Sequence, residues 1–140
     1  MLGKMAGDDL FYVKLRALQD SEKHATVNID AISEFTGNLS KNELNDLLDQ
    51  YLQSWRAKHQ DMQAAVSNED FKLLKRLSHS LKSSAVCLGA KKVELLALLL
   101  ERLCDKKNIP VKKVNVATLA LLEQLAMVTQ KIQQAIQNEH

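Results

Sequence analysis

Between residues 41 and 66, Leu44, Leu48, Tyr51, Leu52, Trp55, Met62 and Val66 recur at helical spacings, the signature of a helix with one buried face. Ser40 and Glu43 stand in front of it as a capping box, each side chain able to bond the other's backbone N–H. Ser67-Asn68-Glu69-Asp70 breaks that helix and caps the next, setting acids at its positive end. Over 69–88, Leu74, Leu77, Leu81, Ala85 and Leu88 form one apolar stripe, and Gly89 ends the helix. The following stretch carries Leu95, Leu96, Leu98, Leu99, Leu100 and Leu103, too many leucines for one face, so it is expected at the centre of a bundle. Lys106, Lys107, Asn108 and Pro110 read as its stop. A final helix is predicted over about 115–137, with Leu119, Leu122, Leu125, Ala126, Val128, Ile132 and Ile136 on its inner side.

Ahead of these, residues 8–20 predict a short helix begun by Asp8-Asp9 and carrying Leu10, Phe11, Val13, Leu15 and Leu18. Residues 30–35 predict another, closed by Thr36-Gly37-Asn38. No stretch alternates as a strand does. The pattern predicts an all-α protein: an antiparallel up-down four-helix bundle over residues 28–140, with the 30–36 helix as a lid and residues 1–27 as an extension holding one accessory helix.

Composition fits that picture. A chain of 140 residues, 46% apolar with one proline and four glycines, can bury a core without disulfides or metal. Charge is uneven: residues 1–70 hold 12 acids and 7 bases, residues 71–140 hold 5 acids and 12 bases. Aromatic residues are only 4% and the bases are spread over several helices, which favours a solvated basic face over a nucleic-acid surface; the pairs Lys106-Lys107 and Lys112-Lys113 read the same way. The longest apolar run, 95–100, is far short of the roughly 20 residues that cross a bilayer. Cys87 and Cys104 share no CxxC spacing and read as buried free thiols, so a soluble, cytoplasmic, monomeric protein is expected.

Against the stripe on 69–88, His79 falls about 140° from Leu74 and so faces outward. Its helical neighbours Lys75, Arg76 and Lys82, with Lys72 two turns back, surround it with positive charge, and Ser83 is small. If the helices on either side of Gly89 form an antiparallel hairpin, reflection about the turn puts position 79 level with about position 100, where Glu101 is the nearest polar side chain. His24, His59 and His140 have no such setting, and the four histidines do not pair with cysteines as a metal site would require.

The run His79-Ser80-Leu81-Lys82-Ser83-Ser84-Ala85-Val86-Cys87-Leu88-Gly89-Ala90 resembles the signature of the histidine-containing phosphotransfer (HPt) domain family, H-x-L-K-[GS]-[SA]-[SA]-x-x-L-G-A. Serine at position 83 is the alternative to the glycine often found there. The resemblance implies a four-helix bundle with His79 as phosphoacceptor. It also implies Glu101, 22 residues later, as the residue that orients the imidazole. Lys75, Lys82 and Arg76 would then be electrostatic neighbours of the phosphoryl group. Expected partners are receiver domains of a hybrid sensor kinase and of a response regulator, which bring Mg²⁺ themselves, so this chain needs no cofactor. The docking surface would comprise Lys72, Arg76, Ser83 and Val86 with Ile32 and Phe35 of the short helix. No P-loop or Gly-rich box is present, so the chain reads as a carrier, not a kinase. The alternative is a helical adaptor that docks receivers without transferring anything.

Overall fold

The computed structural model describes residues 7–21, 27, 32, 37 and 39–137. Among them are five helices and no strand: α1 (Gly7–Asp20), α2 (Lys41–Ser67), α3 (Phe71–Leu88), α4 (Lys91–Cys104) and α5 (Val111–Gln137). Each of the four longer-range packing helices touches two others: α2 meets α3 and α5, and α4 meets α3 and α5. Their inner faces close one core around Trp55, Met62, Leu74, Leu81, Leu96, Leu100, Leu121 and Leu125.

Local chemistry sets the helix ends. At the start of α2, Ser40 Oγ accepts from the Glu43 N–H at 3.2 Å while Glu43 accepts from the Ser40 N–H at 3.0 Å, so the capping box forms. Asp70 caps α3 by accepting from the Leu73 N–H at 3.2 Å. The turns on either side of α3 are alike. Glu69 (φ 52°) and Gly89 (φ 65°) both adopt the left-handed conformation, and the next N–H, of Asp70 or Ala90, reaches back to the carbonyl of Ala65 or Ala85 at 2.8 and 3.0 Å. These tight reversals make the neighbouring helices antiparallel. Across α3 and α4, His79 meets Glu101, and Lys75, one turn earlier, meets Asp105, one turn later.

α1 lies along the α4 and α5 side. Leu15 enters the core, the Lys92 ammonium donates to the Gln19 carbonyl at 2.7 Å, and the Lys113 ammonium sits 5.1 Å over the Phe11 ring. The leucines of α4 divide: Leu96 and Leu100 are fully buried, whereas Leu95, Leu98 and Leu99 are half-buried on its flanks.

Four expectations change. α5 begins at Val111, four residues early, because Pro110 precedes the helix instead of ending one: its carbonyl accepts from the Val114 N–H at 3.0 Å, and a proline at a helix start gives up no useful N–H. Leu119, 65% exposed, and Ala126 face outward, not inward. The buried row of α5 is Val114, Leu121, Leu125, Val128 and Ile132, and Leu119 stands about 120° away from Leu125. Ile32, expected on the docking surface, is 1% exposed and belongs to the core, where an isoleucine gains most from burial. Of the two free thiols, Cys104 is buried but Cys87 is half-buried. The rest of the predicted 30–36 lid, Phe35 included, lies outside the described residues.

Candidate functional site

His79 sits at the middle of α3 with its side chain 68% exposed. The helix phase explains this: Leu74, Ser78, Leu81 and Ala85 take the inner face and leave position 79 on the outer one. Toward α4 the ring is not free. His79 Nδ1 lies 2.6 Å from Glu101 Oε2, and Lys82 Nζ donates to the other carboxylate oxygen, Oε1, at 2.8 Å. Glu101 is only 16% exposed, wedged between the two helices.

The pair of bonds bears on which ring nitrogen carries the proton. The Lys82 ammonium holds the Glu101 carboxyl below the ordinary carboxylate range, against the opposing effect of burial and with further help from His79. An ionised carboxylate only accepts, so Nδ1 carries the proton and donates it to Oε2. In the neutral ring Nε2 is then the nitrogen with the free lone pair.

A shallow groove of about 260 Å³ beside the ring is lined by Lys72, Lys75, Arg76, His79 and Glu101. Its cations are not equivalent. Lys75 is held by Asp105 at 2.5 Å and Lys82 by Glu101, whereas Lys72 and Arg76 have no ion-pair partner among the described residues. Ser83 Oγ donates to the His79 carbonyl at 3.5 Å, one turn back, so its hydroxyl folds onto its own helix. Val86, two turns from His79, is 50% exposed.

The structure thus brings together His79, Glu101 and Lys82 in direct contact and gathers Lys72, Lys75 and Arg76 around them. Ile32 is not on this surface. Asp105, which neutralises Lys75, was not anticipated, although the reflection about Gly89 that pairs positions 79 and 101 pairs 75 and 105 as well. No helix among the described residues is long and apolar enough to cross a membrane.

Comparison with known proteins places this geometry. Among solved structures, the chain is similar to the HPT domain from the Hpt sensor hybrid histidine kinase of Shewanella, at 21% identity and a TM-score of 0.69, over 81% of this chain and 95% of that one. At that identity the likeness speaks for the fold. No curated protein matches the chain. Residues 46–138 match the model of the Hpt domain, a span that runs from within α2 through α5 and takes in His79, Lys82 and Glu101. The chain therefore belongs to the Hpt domain family, the histidine phosphotransfer modules of two-component phosphorelays.

Proposed function

We propose that this protein is a phosphorelay intermediate in which His79 accepts a phosphoryl group from the aspartyl phosphate of one receiver domain, that of a hybrid sensor kinase, and passes it to the aspartate of a response regulator's receiver. The observation that carries this reading is the Nδ1–Glu101 hydrogen bond on an exposed ring, which in the neutral imidazole leaves Nε2 as the nucleophile. The Nε2 lone pair attacks phosphorus, the P–O bond to the aspartate breaks, and the carboxylate leaves. Transfer onward is the same step run the other way. Such a transition state asks for in-line placement and charge neutralisation more than for covalent help. The receiver brings the Mg²⁺ and the acidic pocket; this chain brings a positive surround.

Within that surround, Lys72 and Arg76 are the cations ready to meet a phosphoryl group or an acidic partner, since Lys75 and Lys82 each already hold a carboxylate. Val86 and Ser83 supply the small, uncharged ground against which the receiver closes. The four long helices serve as the up-down bundle that holds His79 rigid, with α1 added outside it, and the protein works as a soluble cytoplasmic monomer.

The test is incubation with a phosphorylated receiver. Wild type takes up phosphate that is acid-labile and base-stable, and His79→Gln takes up none while keeping its helical circular dichroism. Docking of the receiver on wild type with no transfer would leave the adaptor reading in its place.

A further inference from the structure

The exposed face of α3 changes character at His79. Toward Gly89 it offers Ser80, Ser83 and Val86, and the one cation there, Lys82, is held by Glu101. Toward the start of α3 it offers Lys72 and Arg76, exposed and without an ion-pair partner among the described residues. The end of α4 continues that positive half. His79 meets Glu101 and Lys75 meets Asp105, so α4 runs on from the histidine by four residues, about 6 Å of helix, beside the first turns of α3. Arg102, Lys106 and Lys107 stand at that end, all exposed and likewise unpaired among the described residues. We infer that Lys72, Arg76, Arg102, Lys106 and Lys107 form one docking surface for the acidic side of a receiver domain, reaching from His79 past the end of α4. The inference rests on the reading of His79 as phosphoacceptor and extends its partner's footprint onto residues that the chemistry at the ring does not reach.

Taken singly, each of these charges has an ordinary use. Arg102 lies in the last turn of α4, where a cation complements the helix dipole, and a lysine on a turn keeps a protein soluble. The pairing of α3 with α4 is what makes them one surface, since it sets the cations of two segments some thirty residues apart side by side. Of the acids nearby, Glu101 and Asp105 are each neutralised by a lysine of α3, and Asp70 accepts from the Leu73 N–H of its own helix, which leaves Glu69 at the turn. Elsewhere cations find partners: Arg56 donates to Gln133, Lys58 to Ser54 and Lys92 to the Gln19 carbonyl. Like charges gathered without counter-ions repel one another, and an acidic partner relieves that repulsion. Such a field also acts before contact, raising association rates roughly 10- to 1,000-fold and setting the register of the complex. The neutral ground at Ser83 and Val86, on the other side of the histidine, gives acids no such reward.

The experiment uses the full chain with a phosphorylated receiver as donor and the same receiver, fluorescently labelled, as a binding probe. The double variant Lys106→Glu, Lys107→Glu changes two exposed residues beyond the end of α4. Its second-order rate of phosphate uptake should fall roughly tenfold at about 0.01 M salt and approach wild type near 1 M, where screening is close to complete. The rate at saturating receiver should not change, because His79 and its neighbours are untouched. Lys14→Glu, Lys131→Glu makes the same change of net charge on α1 and α5 and should cost less than twofold. Equal losses in the two double variants, or a loss in the first that is indifferent to salt, would overturn the inference. So would duplex DNA bound by wild type and released by the first double variant with transfer unaffected, which would assign the surface to nucleic acid. A wild type whose salt-dependent receiver binding is lost in the first double variant, but which takes up no phosphate, would refute the phosphorelay reading and leave this surface standing.

Discussion

Toward α4, helix α3 presents Lys75, His79 and Lys82, each meeting a carboxylate in partial contact with water; toward α2 it presents Ser84 and Cys87. There the fully buried Trp55 donates its indole N–H to Ser84 Oγ at 2.9 Å. The Tyr51 phenol, pushed up to about 12 by burial, lies against the Cys87 thiol. One seam is charged and wet, the other neutral and half dry. Exposed ion pairs add little to stability because water screens them, whereas a buried donor that loses its acceptor costs its full desolvation. Of the polar contacts on α3, the Trp55–Ser84 bond is therefore the one whose loss should cost stability, while the ion pairs toward α4 can be rearranged at little cost.

The sharpest way to break that division is at Trp55. Trp55→Ala should destabilise the protein by about 3–5 kcal/mol, read from urea denaturation, because it empties the largest site in the core. Among molecules that remain folded, the His79 tautomer should be unchanged. A shifted tautomer would mean that the two seams are coupled through α3.

A finer cut is Ser84→Ala. It removes no packing volume worth the name but strands the Trp55 N–H, and a loss of about 1–3 kcal/mol is expected from the same denaturation curves. A change near zero would show that water or a relaxed neighbour satisfies the indole, and would make the dry seam less distinct than it looks.

Glu69 tests the turn in place of the seam. As a non-glycine residue at φ 52° it bears the steric cost that Gly89 avoids at the other end of α3. Glu69→Gly should therefore raise stability, by up to about 1 kcal/mol after the extra entropy of glycine in the unfolded chain is subtracted.

How much of this was legible in the sequence follows from the range of each interaction. The helices, the Ser40 and Glu43 box and the pairing of His79 with Glu101 rest on spacing and on one tight turn, which is information the chain carries locally. Reflection about Gly89 held because the left-handed turn leaves α3 and α4 no freedom to slip. Asp105 lies within reach of the same reflection, which sets position 75 level with position 105. Ile32 and Leu119 were not legible in that sense. Whether a single residue such as Ile32 is buried, and which phase α5 presents to the core, depends on partners distant in the chain, and single leucines on a surface are ordinary. The division of labour between Lys82 and Arg76 was invisible too, since both flank His79 at three residues and only the position of α4 decides which one finds a carboxylate.

The smallest effect on stability should come from the residue closest to the chemistry. Glu101 has its carboxyl pKa lowered from the ordinary 4.5 by Lys82, and a group whose pKa is lower folded than unfolded stabilises the fold above that ordinary value and loses the contribution as pH falls through its folded one. Glu101→Gln should thus cost at most about 1 kcal/mol at pH 7, with Lys82 and His79 partly hydrated in compensation. In acid below the folded pKa of Glu101 the two proteins should denature together, because protonation has by then done to wild type what the substitution did. A large loss at pH 7 that persists in acid would mean that Glu101 is holding α3 and α4 together by packing rather than by charge. The wet seam would then carry the fold as well as the histidine. If the loss is small and vanishes in acid, the carboxylate can be placed for its hydrogen bond to His79 without the bundle depending on it, which is the freedom that the proposed role of His79 requires.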